Sequence, residues 1–222
     1  MSTTLALFPL TTVLVPGLVM PLHIFEPRYR SLMEDLLLLP EDDRVFGITS
    51  IRPGRSPEHD GIDALYPVGI EVLVRSIERL DDGRFDITTI GRRRFLIDEV
   101  DTSMPLIRAE VSYLDEPEPS PRAHVLAREV AEAFGTYRAV LASRVGQEDE
   151  TTQELPDDPT VLSFLVTAAL VVPPDERNAL LSAPSTDERL VLAHALLARE
   201  TTFLRTFGAV PSVDLGEAGS IN

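Results

Sequence analysis

The stretch MPLHIFEPRYRSLMEDL, residues 20–36, runs from a strand pattern directly into a helix pattern. Apolar side chains at every second position predict a strand from Met20 to Ile24. Pro27 follows at a place suited to the first turn of a helix, where its missing N–H is tolerated. Four residues then recur at helical spacing and predict one buried face: Tyr29, Leu32, Met33 and Leu36. The stretch therefore predicts a β-structure into which one helix is inserted.

Short strands separated by proline and glycine flank this stretch on both sides, which is typical of a compact β-rich unit. The segment Asp81-Asp82-Gly83 predicts a hairpin turn, because glycine readily adopts the positive φ that such a turn requires. Together with Met20 to Ile24, the candidate strands are Leu5 to Pro9, Val45 to Ser50, Val68 to Leu80, Phe85 to Ile90, Arg94 to Asp98 and Ile107 to Tyr113.

An acidic, proline-rich segment at residues 115–121 cannot continue a strand. It marks the predicted boundary between a first domain of residues 1–115 and a second of residues 116–208. Helical spacing takes over here and predicts a helix from near Ser120 to near Gly146. The face it should bury consists of Leu126, Val130, Phe134, Tyr137 and Leu141. The acidic stretch that follows, Gln147 to Asp158, has little to bury and is predicted to be a mobile loop.

Three more helices are predicted in the second domain. An apolar helix over Val161 to Val172 should end at Pro173-Pro174, and a short helix should cover Pro174 to Leu181. Ser185-Thr186-Asp187-Glu188 matches a capping box and should begin a helix that ends near Gly208. The residues it should bury are Leu190, Ala193, Leu197 and Leu204. Residues 209–222 are predicted to be a flexible tail, and the fold class is α+β, a β-rich unit followed by an all-α bundle.

Composition excludes several kinds of chemistry. The 20 basic residues are all arginine, and without lysine there is no P-loop lysine, Ser-Lys dyad or Schiff base. The absence of cysteine removes thiol nucleophiles, iron-sulfur clusters and disulfides. The four histidines lie scattered at positions 23, 59, 124 and 194 without metal-ligand spacing, and the hydrolase, zincin and dinucleotide motifs are missing. We therefore predict no catalytic residues, no cofactor and no metal.

Charge and hydropathy narrow the partners further. A formal net charge of -16 opposes nucleic acid, whose binding depends on clustered basic side chains, and the one basic run, Arg92-Arg93-Arg94, is followed by acidic residues. The N-terminus has no signal-peptide pattern, and no apolar stretch reaches the roughly 18–20 residues that a membrane span needs. The sequence thus predicts a cytoplasmic protein that binds neither nucleic acid nor membrane.

Several segments, in the same order along the chain, resemble the amino-terminal substrate-binding domain of Lon-type proteases. The opening segments are Leu7-Phe8-Pro9-Leu10, Val13-Leu14-Val15-Pro16-Gly17 and the run from Met20 to Arg30. Later ones are Tyr66-Pro67-Val68-Gly69, Asp82-Gly83-Arg84-Phe85, Gly91-Arg92-Arg93-Arg94-Phe95, Leu165 to Leu170 and Pro174 to Leu181. The resemblance covers about Leu5 to Phe207. It implies a PUA-like β-barrel of about six strands plus one helix, followed by a helical bundle.

The resemblance also implies a role in engaging protein substrates. In Lon-type proteases this module precedes an ATPase domain with a P-loop and a peptidase domain with a Ser-Lys dyad. Because these 222 residues contain neither, we expect a non-catalytic module that binds unfolded or extended polypeptide, an adaptor in protein quality control. The alternatives are an interaction module dedicated to one folded partner and a small-molecule enzyme using Asp, Glu, His or Tyr.

Two groups of side chains are candidates for contacting a peptide. The first is apolar or aromatic and surrounds the strand that begins at Met20: Leu18, Val19, Met20, Phe25 and Tyr29. Methionine in particular adapts to varied partners. The second, Arg92 and Arg93, could hold an acidic partner. Packing explains the first group as well, as a barrel cap and a strand-to-helix joint, and alternation on a solvated strand explains the second.

Overall fold

The computed structural model describes residues 3–145 and 154–207, and its contacts divide the chain into two compact units between Asp115 and Glu116. The strands, all in the first unit, are β1 (Thr3–Leu10), β2 (Val19–Ile24), β3 (Val45–Ser50), β4 (Val68–Arg79), β5 (Phe85–Asp101) and β6 (Arg108–Tyr113). The helices are α1 (Pro27–Leu37) and α2 (Pro57–Asp60) in the first unit and α3 (Pro121–Val145), α4 (Pro159–Ala169), α5 (Pro174–Ser182) and α6 (Thr186–Phe207) in the second. The predicted α+β class is confirmed.

The sheet of the first unit closes on itself. Its strand order is β2-β5-β4-β3-β1-β6, and β5 also pairs with β6. Five strands thus form a barrel, and β2 lies outside the ring, paired with β5. All the pairings are antiparallel except that of β1 with β3. Part of the core is an apolar cluster that includes Leu7, Phe95 and Val111, each buried completely.

The prediction of two strands between Phe85 and Asp98 was wrong, because β5 is one continuous strand of 17 residues. Pairing with β4 shifts register between Ile70, which faces Arg94, and Val72, which faces Gly91. Two residues of β5, Arg92 and Arg93, therefore stand opposite one residue of β4. Such a bulge keeps the strand continuous while it bends, and in the sequence it looks like a break.

The first unit contains more helix than the one predicted. Helix α1 buries the four residues expected, each at most 5% exposed. The segment between β3 and β4, residues 51–67, adds helix α2 and a 3-10 turn at Gly61–Ala64. A second 3-10 turn covers Glu41–Asp43. Elements of three or four residues are too short to show a helical period, which is why the sequence did not reveal them.

In the second unit the long helix α3 begins close to the predicted residue. Ser120 Oγ accepts hydrogen bonds from the backbone N–H groups of Arg122 and Ala123, which caps the helix. Val130, Phe134 and Tyr137 are buried as expected, whereas the flanking members of the predicted face are only partly buried: Leu126 and Leu141. Gly146, most of the predicted acidic loop and the predicted tail lie outside the described residues.

Helix α4 ends at Ala169, three residues before the predicted end, and the prediction of helix as far as Val172 was wrong. A proline disfavours helical backbone at the residue before it, and Val172 precedes Pro173. Beyond the helix, the N–H of Val171 donates to the hydroxyl of Tyr137 instead of to the preceding turn. Val172 is still buried, at 2% exposure, so the apolar run continues after the helix has stopped.

Helix α6 begins at the predicted capping box, where Ser185 Oγ accepts a hydrogen bond from the N–H of Glu188. The four residues expected to point inward, Leu190, Ala193, Leu197 and Leu204, are at most 1% exposed. Across residues 3–145 and 154–207, no helix has both the length and the apolar content that a membrane span requires.

A fully buried arginine joins three parts of the second unit. Arg189 of α6, at 0% exposure, donates to Ser163 Oγ of α4 at 2.9 Å and to the Glu116 carboxylate at 2.8 Å. Its guanidinium also lies 3.8 Å from the ring centroid of Phe164. Because a buried charge must be paired and hydrogen-bonded, Arg189 ties residue 116 to the helical core.

We expect Arg189→Met to destabilise the protein by about 1–3 kcal/mol, since it removes the hydrogen bonds to Ser163 and Glu116 and the stack on Phe164 from a fully buried position. Arg205→Met is the matched control on the same helix. Arg205 is exposed, and its side chain makes no hydrogen bond or ion pair with a described residue, so its loss should cost less than about 0.5 kcal/mol. Urea denaturation followed by helical circular dichroism would measure both, and equal losses would contradict a core role for Arg189.

Candidate functional site

The segment before β2 lies unusually close to β5. The N–H of Gly17 donates to the carbonyl of Gly91 at 2.9 Å, and the N–H of Gly91 donates to the carbonyl of Leu18 at 3.0 Å. A Cβ atom on Gly91 would lie 2.4 Å from the carbonyl oxygen of Val15, closer than the atoms can approach. Gly91 is therefore required for this segment to pass over the barrel and lead into β2.

Apolar side chains on and around β2 remain in contact with solvent. Val19 is 57% exposed, Phe25 is 44% exposed and Leu18 is 37% exposed. Met20 is only partly buried, and its carbonyl accepts a hydrogen bond from Thr89 Oγ1 at 3.0 Å. We call the side chains of Leu18, Val19, Met20 and Phe25 the β2 surface. The pairing of Val19 with Ile90 and Met20 with Thr89 fixes the backbone beneath them.

A polar cluster adjoins Phe25 at the far end of β2. The ring of His23 stacks on that of Phe25, with centroids 6.2 Å apart. His23 Nδ1 and Asp86 Oδ1 are 2.6 Å apart, and Arg84 Nη1 lies 3.0 Å from His23 Nε2. With Arg84 as the donor to Nε2, Nδ1 carries the proton and donates to Asp86. The sequence places His23 on a strand but cannot show its partners, because Asp86 faces it only through the β2–β5 register.

Tyr29 does not belong to this surface. It is 3% exposed and packs with its ring centroid 4.1 Å from that of Phe8. Burial, above all, raises the pKa of Tyr29 to about 12, because the phenolate would lose its hydration. Its expected contact with a peptide is excluded by this burial, and the packing alternative describes its position.

The two candidate arginines at the bulge differ in their contacts. Arg93 reaches the buried carboxylate of Glu71 with Nε at 3.3 Å and Nη2 at 3.2 Å, and its guanidinium lies 3.8 Å from the ring centroid of Tyr113. The hydroxyl of Tyr113 also donates to Glu71. Arg92 is exposed and has no hydrogen bond or ion pair with any described residue. Only Arg92 is therefore open to a partner, and it follows the Gly91 that binds Leu18.

The polar cluster around His23 does not include the groups of a metal or hydrolytic site among the described residues. In the part of the chain that the structure describes, no three His, Asp or Glu side chains come together as metal ligands. His23 has a carboxylate partner, but no hydroxyl group of the described residues hydrogen-bonds to it. A nucleophile paired with a base, the usual mark of a hydrolytic site, is not formed around His23. Beside this cluster, Leu18, Val19 and Phe25 are exposed apolar side chains next to a backbone that is fixed by β5.

Comparison with known proteins gives a consistent result. A family model described as the ATP-dependent protease La (LON) substrate-binding domain matches residues 4–199. Lon protease 2 of Myxococcus xanthus is 26% identical over 96% of this chain and 26% of its own length. Lon protease 1 of Thermus thermophilus is 30% identical over 73% of this chain and 20% of its own length. The chain thus spans about a quarter or less of these relatives.

Solved structures share the fold. A Lon N-terminal domain protein from Xanthomonas campestris superimposes with a TM-score of 0.63 at 24% identity, covering 87% of this chain and 98% of that one. The N-terminal domain of the Mycobacterium avium complex Lon protease gives a TM-score of 0.62 at 18% identity, covering 88% of this chain and 98% of that one.

We expect Gly91→Ala to destabilise the protein by about 1–3 kcal/mol, because its Cβ would push against the Val15 carbonyl in a packed region. Gly135→Ala is the control. Gly135 lies in α3, and a Cβ there meets no atom within 4 Å, so alanine should stabilise the helix by about 0.5–1 kcal/mol. Thermal unfolding of both variants would show opposite shifts, and a neutral Gly91→Ala would contradict the close approach.

The contact between Tyr113 and Glu71 should affect the pKa of Tyr113, and a substitution at Glu71 can test this. Burial and, next, the hydrogen bond to Glu71 raise the pKa of Tyr113 to about 12. Because the pKa of Tyr113 in the folded protein lies above its ordinary value, the contribution of the neutral phenol to folding stability is complete below about pH 10. This contribution is lost as the pH rises towards 12. Glu71→Gln should lower the pKa of Tyr113, measured by NMR of its ring carbons. The pKa of Tyr29, whose causes do not include Glu71, should stay unchanged in the same sample.

Proposed function

This chain belongs to the family of ATP-dependent protease La (LON) substrate-binding domains, and we propose that it binds extended polypeptide through the β2 surface without catalysing a reaction. The observation that carries the proposal is a group of exposed apolar side chains on and beside an ordered strand, with Val19 in β2 at 57% and Phe25 just after its end at 44%. Contiguous exposed apolar groups on a folded protein are typical of interaction sites.

The dimensions of the β2 surface fit a short extended segment. At about 3.3 Å per residue, the six residues of β2 extend about 20 Å, and Leu18 and Phe25 flank the two ends of the strand. Pro21 lies near the middle, is exposed, and has no N–H to donate to an added strand. We therefore propose recognition mainly by side chains packing on Leu18, Val19, Met20 and Phe25, rather than by extension of the sheet.

Charge favours certain polypeptides over others. The net charge of -16 repels acidic chains at a distance, and salt screens this repulsion. Arg92 is a local exception beside Leu18, and it offers a guanidinium to a single carboxylate or carbonyl group. We propose that the preferred ligands are apolar segments of neutral or positive overall charge, presented by unfolded or partly unfolded proteins, and that the protein acts as an adaptor in protein quality control.

Val19→Asp tests this proposal, because it puts a charge at the most exposed position of the β2 surface without disturbing a buried residue. On arrays of extended apolar peptides and in fluorescence anisotropy, the wild type should bind with roughly micromolar affinity, and Val19→Asp should bind at least about tenfold more weakly. Val161→Asp is the matched control, since Val161 is 53% exposed on α4, and it should bind as the wild type does.

Equal binding by the two variants would remove the β2 surface from the function. No binding of any peptide up to millimolar concentration would overturn polypeptide binding itself. That result would favour the other interaction role, a module that recognises one folded partner.

A further inference from the structure

We propose that a second site in the first unit, a pocket around Arg52, binds the carboxylate of a polypeptide C-terminus together with the apolar side chain of its last residue. The pocket has a volume of about 230 Å³ and lies in the excursion between β3 and β4, apart from the residues of the β2 surface. The inference rests on the proposed polypeptide-binding role, because it names one chemical group of the same class of ligand.

Three contacts fix Arg52 in this pocket. Its backbone N–H donates to the Ala64 carbonyl at 2.7 Å. Its side-chain Nε donates to the Leu65 carbonyl at 3.2 Å. Its guanidinium lies 4.5 Å from the ring centroid of Tyr66. The side chain of Arg52 is thus already restricted before a ligand arrives, so binding costs less conformational entropy.

The two terminal nitrogens of Arg52 have no hydrogen-bond or ion-pair partner among residues 3–145 and 154–207. Its neighbour in the same excursion differs, because Arg55 Nη1 pairs with Asp60 at 3.0 Å. A guanidinium with both terminal nitrogens available binds a carboxylate in a bidentate manner. Arg52 can therefore donate two hydrogen bonds to one planar anion.

The rest of the lining selects the kind of carboxylate. Apart from Arg52 and Asp63, the pocket is lined by Ile62, Leu65, Tyr66, Pro67 and Ile97. A C-terminal residue carries its carboxylate and its side chain on one Cα atom, so one such residue supplies both an anion for Arg52 and an apolar group for these walls. A glutamate or aspartate side chain brings the anion without the apolar group.

Size and charge favour a small, singly charged ligand. The volume is below the range of about 300–1,000 Å³ typical of drug-sized sites and suits a single residue. Asp63 contributes a negative charge to the lining, which repels a doubly charged phosphate more strongly than a singly charged carboxylate. The walls are held in place by the hydrogen bond from the N–H of Ile97 to the Pro67 carbonyl at 2.8 Å.

The test uses small probes that fill only this pocket, with the full chain labelled for NMR. N-acetyl-leucine should shift the backbone amides of Ile62, Leu65 and Ile97, with at least tenfold stronger binding than N-acetyl-leucinamide. It should also bind more strongly than N-acetyl-glutamate α-amide, whose only carboxylate is on the side chain. Equal binding of the three probes, or shifts elsewhere only, would overturn the proposal.

Variants assign the effect to Arg52. Arg52→Gln should abolish the preference for the free acid, whereas Arg55→Gln, which alters the paired neighbour, should keep it. Ile62→Asp is a second variant that leaves Arg52 and its stack intact, because Ile62 is 46% exposed, and its added charge should weaken binding of N-acetyl-leucine at least tenfold. Unchanged binding in both Arg52→Gln and Ile62→Asp would contradict the site.

An apolar peptide prepared as acid and as amide separates this inference from the proposed function. If both forms bind equally and both lose affinity in Val19→Asp, the β2 surface binds polypeptide and the Arg52 pocket does not read the chain end. If N-acetyl-leucine binds at Arg52 while neither peptide responds to Val19→Asp, the pocket stands and the function assigned to the β2 surface fails.

Discussion

The first unit depends on the pairing of one strand, β5, with three others. Its first part is hydrogen-bonded to β2 on one side and β4 on the other, and its last part pairs with β4 and β6. The change of partner occurs at the bulge of Arg92 and Arg93. Without a strand long enough to make both sets of pairings, the ring β5-β4-β3-β1-β6 would not close. The bulge therefore separates the part of β5 that pairs with β2 from the part that closes the barrel with β6.

This constraint explains which parts of the fold could be predicted from sequence. Helix faces were found because the 3.6-residue period depends only on the residues of one helix, as for Met33 in α1 and Leu197 in α6. The continuity of β5 was missed because it depends on the pairing with the preceding strand β4, in which Glu71 faces the bulge. The end of α4 was missed for a similar reason, since Val172 is apolar and buried but takes its backbone conformation from Pro173.

The candidate site shows the same division. Large apolar side chains between prolines are visible in sequence, which made the stretch from Leu18 to Met20 a candidate, and its contact with a peptide stays a prediction. Exposure was not predictable. Phe25 and Tyr29 are both aromatic and only four residues apart, yet one is 44% exposed and the other 3%. Arg92 and Arg93 are identical in type. The structure shows that Arg93 contacts Glu71, whereas Arg92 is open to a partner.

Arginine is the sole basic residue of this chain, so each guanidinium serves either packing or recognition, and the geometry separates the two. Among the described residues, a guanidinium lies 4.8 Å or less from the centroid of an aromatic ring in four places: Arg28 on Tyr29, Arg52 on Tyr66, Arg93 on Tyr113 and Arg189 on Phe164. Three of these stacks are completed by a carboxylate of the same unit, from Glu26, Glu71 and Glu116 respectively. Stacking orients the planar group, and the carboxylate neutralises it.

At Arg52 the stack is present and the carboxylate is missing among the described residues, although Asp63 lies on the same pocket wall. A structural arginine is oriented by its stack and neutralised by a carboxylate of its own unit. A binding arginine is oriented in the same way, but its anion has to come from outside the unit.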